Sequence, residues 1–194
     1  MSLQSPIVAI LLAAGAGTRF GGGKLLHPLS DGVALAAHAA RNLQAADLDV
    51  IAVVRTGDFP LADMLEEEGC HVFPCAEAVR GMGHSLAHGV NAAKDAPGWI
   101  VALADMPRVQ PSTIRSIADA IREGALIAAP TYRGERGHPV GFAAALRSEL
   151  LALSGDSGAR AVLERHRDAV RLIECDDPGI ALDIDAKTDL GRVG

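Results

Sequence analysis

The chain has 194 residues with a formal net charge of −6, and 49% of its residues are hydrophobic while only 3% are aromatic. That size fits a single domain, 1–194, with a substantial core of small and branched side chains. The acidic balance argues against a nucleic-acid partner, which would call for a basic face, but leaves room for a free nucleotide, which needs only a local cluster of cations. Met1–Ser5 reads as a disordered lead-in, and an apolar strand at Ile7–Ala13 follows it. Further strands are predicted at Val50–Val54, His71–Pro74, Trp99–Ala104 and Leu126–Pro130. Helical periodicity occupies Gly32–Gln44, Pro60–Glu68, His84–Lys94 and Ser112–Arg122 between them. Pro111 stands where the last of these would start and Gly124 where it would be capped. Gly134–Gly137 reads as a turn joining Thr131-Tyr132 to Pro139-Val140. Ala143–Leu153 and Gly158–Arg167 then look helical, and Val170–Glu174 and Ala181–Ile184 extended. Strands alternating with helices predict an α/β fold of βαβ units on a parallel sheet, with no linker or repeat to divide it.

The richest segment is Leu12-Ala13-Ala14-Gly15-Ala16-Gly17-Thr18-Arg19-Phe20-Gly21-Gly22-Gly23-Lys24. A buried strand empties into a loop with five glycines and two fixed cations, Arg19 and Lys24. Glycines admit positive φ and let backbone N–H groups approach a ligand, so the loop suits a triphosphate. It is not a P-loop, because Thr18 stands five residues before Gly23 and Leu25 follows Lys24. Nor is it the dinucleotide fingerprint, because Gly21 comes one residue late after Gly15-Ala16-Gly17.

Val101-Ala102-Leu103-Ala104-Asp105-Met106-Pro107 is a second buried strand that delivers one acid at its carboxyl end. Ligands of open α/β sheets bind at that edge, so Asp105 is expected to face the same crevice as the glycine loop. A carboxylate beside a triphosphate calls for a cation between them, and Mg²⁺ accepts one or two carboxylates with phosphate oxygens and water. Asp183-Ile184-Asp185 ends a short extended run, where alternation puts both acids on one face.

These motifs resemble those of nucleotidyltransferases, and within them most resemble the molybdenum cofactor cytidylyltransferases of the molybdenum cofactor NTP transferase family. The resemblance spans about Ile7 to Leu190 as five motifs in the expected order. It implies a three-layer sandwich whose mostly parallel, Rossmann-like sheet is of the nucleotide-diphospho-sugar transferase type, with helices on both faces. It implies an enzyme that transfers CMP from CTP to the terminal phosphate of molybdopterin and releases pyrophosphate, with Mg²⁺ as cofactor. Ala13, Ala14, Gly15, Gly17, Arg19 and Lys24 would bind the nucleotide, Asp105 would bind metal and nucleotide, and Arg19, Lys24 and Asp105 would be the catalytic set. Leu-Ala-Asp-Met-Pro at 103–107 looks like the magnesium motif. Asp185 would be the second metal ligand, with Asp183 as the alternative, although the usual Thr-Pro turn after this segment is replaced by Ala186-Lys187. Gly81, Gly83 and Ser85, in Gly-Met-Gly-His-Ser-Leu, would contact the base and ribose, the glycines letting backbone amides reach the base. Read on its residues alone, Ser85 is equally a helix-start hydroxyl. His138, in Gly-His-Pro-Val-Gly-Phe, and Arg160, at the start of a helix after Gly155-Asp156-Ser157-Gly158, would lie toward the acceptor; a turn and a helix cap compete as readings.

His84 and His88 share a helical face and are read as solvent-facing, while Asp189 is read as a helix-start residue. A phosphate acceptor is already ionised, so no general base is needed and none stands out. The rivals are a guanylyl or uridylyl transferase acting on the same cofactor or on a sugar phosphate, and a non-catalytic nucleotide-binding regulator or chaperone. Ala14 and Lys24-Leu25-Leu26 favour the cytidylyl reading. Cys70, Cys75 and Cys175 are odd in number and match neither a disulfide scaffold nor a zinc site, which points to a reducing cytoplasm. The apolar start is too short for a membrane span and lacks a preceding basic region, so neither anchor nor signal peptide is expected. The implied partners are the two small-molecule substrates and a client molybdoenzyme of the xanthine dehydrogenase type, with no nucleic acid and no membrane.

Overall fold

Every strand predicted from an apolar run up to residue 130 is a strand of the central sheet. A computed structural model of the chain describes residues 6–15 and 17–192; the expected disordered lead-in at 1–5 and Ala16 of the glycine loop lie outside them. In chain order the strands and helices are β1 (Val8–Ala13), α1 (Leu35–Gln44), β2 (Asp49–Arg55), α2 (Phe59–Glu67), β3 (His71–Cys75), α3 (Met82–Ala92) and β4 (Gly98–Leu103). Then come α4 (Pro111–Arg122), β5 (Ile127–Tyr132), β6 (Glu135–Arg136), β7 (Val140–Ala143), α5 (Arg147–Leu151), α6 (Arg160–Arg165) and β8 (Val170–Glu174).

The sheet runs β3-β2-β1-β4-β7-β5-β6, and β8 pairs with β5. β1, β2, β3 and β4 are mutually parallel, with Ile10 of β1 opposite Ile51 on one side and Val101 on the other. β1 is therefore central and buried on both faces, which is why it reads as a continuous apolar run rather than an alternating one. Its Ala9, Leu11 and Ala13 pack toward α1, α2 and α4, while Ile10 and Leu12 pack toward α3, α5 and α6. The three layers follow from that division: helices on both faces of a mixed sheet. Gly89 lets α3 close on the strands, because a Cβ there would sit 2.6 Å from Ile10 Cγ2. Among the described residues no helix is long and apolar enough to cross a membrane.

Two expectations need correction. The turn at 134–137 is instead a two-residue hairpin loop at Arg133 and Gly134, with φ of 53° and 81°. Two successive positive φ values match the right-handed strand twist, so Glu135 and Arg136 fold back as β6 against Tyr132 and Thr131. The chain then returns as β7, antiparallel to both β4 and β5. The expected strand at 181–184 is absent: Pro178–Ala181 forms a 3₁₀ turn and 182–186 run irregularly across the strand ends.

The physical cause is Asp177, 1% exposed. Its carboxylate accepts from Gln110 N at 2.8 Å, Thr113 Oγ1 at 2.7 Å and Gly179 N at 2.9 Å. That ties the C-terminal segment to the start of α4 and steers it away from the sheet. Ile184 N then donates to Asp105 O at 3.0 Å. A separate small core of Phe20, Leu29, Leu35 and Ile184 clamps the same segment to the glycine loop.

Candidate active site

Parallel strands end on one edge, and there β1 and β4 sit side by side while the connections from β1 lead away on the other side; ligands of open α/β sheets bind at such a switch. The loop leaving β1 turns through Gly17, Gly21, Gly22 and Gly23, whose φ values run from 56° to 92°. Its two 3₁₀ turns, Thr18–Phe20 and Lys24–Leu26, place both cations. Lys24 is 9% exposed, and its Nζ donates to Asp105 Oδ2 at 2.7 Å and lies 3.6 Å from Asp185 Oδ1. Arg19 is open to solvent and its Nη1 donates to Asp185 Oδ2 at 2.6 Å. The glycine loop, the acid after β4 and the C-terminal acid thus form one cluster. Exposed pairs such as Arg19–Asp185 contribute about 0–1 kcal/mol to stability. The desolvated Lys24–Asp105 pair is likewise a poor way to stabilise a fold. A cluster of this kind at a ligand edge is better explained by binding than by stability.

Among the described residues no group of three or more His, Cys, Asp or Glu side chains gathers as a ready-made metal site. Two carboxylates do converge on the Lys24 ammonium, and Asp105 Oδ1 is buried without a hydrogen-bond partner. An unpartnered carboxylate oxygen beside a second carboxylate fits a hard divalent cation that completes its shell with phosphate and water. Asp183 reaches none of these cations. Asp189, the expected helix-start residue, accepts from Asp185 N and Ala186 N at 3.0 and 2.7 Å, holding the turn that presents Asp185.

A cavity of about 470 Å³ opens beside the cluster, lined by Ala14, Gly15, Arg19, Lys24 and Asp105. Gly81, Met82 and Ser85 from the start of α3 line it as well. Three of the expected nucleotide residues stand apart from that lining. Ala13 is buried in the core, Gly17 lines a smaller adjoining hollow, and the Gly83 N–H donates to Gly155 O at 2.8 Å. The Gly81 N–H likewise donates to Ala78 O, so neither glycine offers its amide to a base. Arg55, at the end of β2, lines the cavity and was missed; its Nη2 donates to Ala14 O at 3.3 Å while Nε is buried without a partner. The sequence shows only a lone Arg ending an apolar strand, and its place at the cavity follows from the pairing of that strand with β1.

A second cavity, about 550 Å³, holds His138, Arg160, Arg136 and Arg167 and shares Leu12, Met82 and Leu103 with the first. Arg160 pairs with Glu164 at 2.8 Å one helical turn on. His138 has an unpartnered, buried Nδ1. Burial pushes its pKa below the usual 6.5; Asp105 and Asp183 draw it up, and Arg136 presses it down. Because the unfolded chain binds that proton more readily, this group's contribution to stability is full above about pH 6.5 and is lost as pH falls toward the folded value. The urea midpoint should therefore drop between about pH 7.5 and about pH 5.5 more in the wild type than in His138→Gln, and equal slopes would contradict the assignment.

Residues 9–170 match the MobA-like NTP transferase domain. The chain belongs to this family. Its similarity to known proteins extends over nearly the whole length. The nicotine blue oxidoreductase of Paenarthrobacter nicotinovorans is 29% identical over 196 residues, covering 96% of both chains. A nucleotidyl transferase from Methanothermobacter is 27% identical with a TM-score of 0.81, covering 97% of this chain and 95% of that one. Rv0371c from Mycobacterium tuberculosis, in its complex with manganese, is 26% identical with a TM-score of 0.81, covering 97% and 98%. The MobA-like domain thus carries its carboxylate pair on a fold that, in a solved relative, is found with a divalent metal.

Proposed function

We propose that this MobA-like chain is a divalent-metal-dependent nucleotidyltransferase that moves CMP from CTP to the terminal phosphate of molybdopterin and releases pyrophosphate. The observation that carries the reading is the 2.7 Å contact between Lys24 of the glycine loop and Asp105 at the end of β4, on the rim of the 470 Å³ cavity. Cations already gathered by carboxylates can exchange them for phosphate oxygens, so Lys24 and Arg19 hold the β- and γ-phosphates and stabilise the departing pyrophosphate. Asp105 and Asp185 would hold Mg²⁺, which when bound neutralises phosphate charge. The acceptor phosphate needs no base, and the chain's task is alignment. The cavity containing His138 and Arg160 adjoins the first through a shared wall and would receive the acceptor.

Ala14 and Lys24-Leu25-Leu26, which resemble the cytidylyl branch of the family, favour CTP over GTP. A client molybdoenzyme of the xanthine dehydrogenase type and a cytoplasmic setting complete the proposal. A second reading, an oxidoreductase, draws on the likeness to nicotine blue oxidoreductase. Against it, the Gly-x-Gly-x-x-Gly fingerprint for a dinucleotide is absent. Thermal shift with each nucleoside triphosphate and Mg²⁺ or Mn²⁺ should select CTP, and EDTA should abolish the shift. Incubation with molybdopterin and CTP should then release pyrophosphate. A shift with NADH or NADPH and none with any triphosphate would replace the transferase reading with the oxidoreductase one.

A further inference from the structure

One loop is seated against the nucleotide cavity by glycines whose role is steric. A Cβ on Gly81 would lie 2.3 Å from the Gly155 carbonyl carbon and 2.5 Å from Asp156 Oδ1. A Cβ on Gly83 would lie 2.8 Å from the Ser154 backbone, and the Gly83 N–H donates to Gly155 O. Side chains at 81 and 83 would thus push segment 154–156 off the start of α3. What that segment delivers to the cavity is the Asp156 carboxylate. Its continuation, Ser157 to Arg160, lines the second cavity instead.

Asp156 has no hydrogen-bond or ion-pair partner among the described residues, whereas Asp105 and Asp185 are paired with the loop cations. A carboxylate with no cation beside it is repelled by a triphosphate. Asp156 is not paired with the loop cations that gather Asp105 and Asp185, so it is favourable where the ligand presents N–H or O–H donors, at the base and sugar. By the resemblance, Ser85 and Gly81 at the start of α3 would mark that end of the cavity, and Asp156 lines it beside them.

We propose that Asp156 is a specificity-determining residue that accepts a hydrogen bond from the nucleoside end of the bound triphosphate. The proposal rests on the nucleotide reading of the cavity but not on the acceptor or on the choice of CTP. Cytosine offers an exocyclic amine where uracil offers an oxygen, and the ribose offers hydroxyls. A carboxylate attracts the amine and the hydroxyls and repels the uracil oxygen.

Wild type, Asp156→Asn and Asp156→Ala can be titrated calorimetrically with CTP, UTP, 2′-deoxy-CTP and inorganic tripolyphosphate in the presence of Mn²⁺. Loss of a hydrogen bond to a charged group should weaken CTP binding about tenfold in Asp156→Ala and leave tripolyphosphate as tight or tighter. A loss for CTP but not UTP assigns the contact to the amine. A loss for CTP and UTP but not 2′-deoxy-CTP assigns it to the 2′-hydroxyl, and a loss for all three but not tripolyphosphate assigns it to the 3′-hydroxyl or to the base edge, where the uracil N3–H takes the place of the amine. Equal weakening of all four ligands, or unchanged CTP binding, overturns the proposal. A wild type that prefers GTP overturns the cytidylyl reading alone, and the same comparison then runs with GTP. A wild type that binds no triphosphate overturns the nucleotide reading and this proposal with it.

Discussion

Lys24→Ala should lower the rate of pyrophosphate release by about two to three orders of magnitude, on the order of 3 kcal/mol of transition-state stabilisation. The ammonium is the least solvated positive charge in the cluster, held between Asp105 and Asp185 at 2.7 and 3.6 Å. In a partly dry site it acts on developing phosphate charge far more strongly than an exposed cation would. Arg19, more than three-quarters exposed, should matter less. The fold should survive, because removing Lys24 leaves Asp105 facing an open cavity where water can reach it. Lys24→Met keeps the buried stem and isolates the charge. Single-turnover pyrophosphate release and a urea melt on the same preparations test the two halves. Turnover close to wild type in both variants would remove Lys24 from the chemistry.

The second large effect is on stability. Asp177→Ala leaves Gln110 N, Thr113 Oγ1 and Gly179 N without their acceptor. Each buried polar group stranded in this way costs about 1–3 kcal/mol, so a loss of about 4 kcal/mol is expected. The consequence extends to the site, because the same segment carries Ile184 into the small core and Asp185 to the loop cations. Pyrophosphate release should therefore fall together with the denaturation midpoint. A variant as stable as wild type to within about 1 kcal/mol would show that the three donors find other partners.

Much of this architecture is legible in the residues, and the reason is burial. β1 and β4 lie between strands and under helices on both faces, so their apolar runs are continuous and end in glycines or an acid. The meeting of Lys24 with Asp105 follows from that, since parallel strand ends share one edge. What depends on tertiary contacts is not legible. Nothing in Ala181-Leu182-Asp183-Ile184 announces that a buried Asp177 will hold it off the sheet. Arg133 takes a positive φ that its side chain disfavours, so β6 escapes a reading based on glycine alone. Gly81 and Gly83 look like backbone freed for a ligand, but the steric demand on them comes from a loop over seventy residues later. Arg55 is visible only once β2 is known to lie beside β1.

The antiparallel return of β7 between β4 and β5 divides the labour along the chain. All the residues lining the first cavity but Asp156 lie before residue 106, and most of those lining the second lie after residue 135. On the proposed function, changes in the later half would retune what is accepted while leaving Arg19, Lys24 and Asp105 in place, a modularity that suits a scaffold recruited for several chemistries. Asp156 and Asp185 are the two places where the later half reaches across, and they are where such retuning would first be felt by the donor.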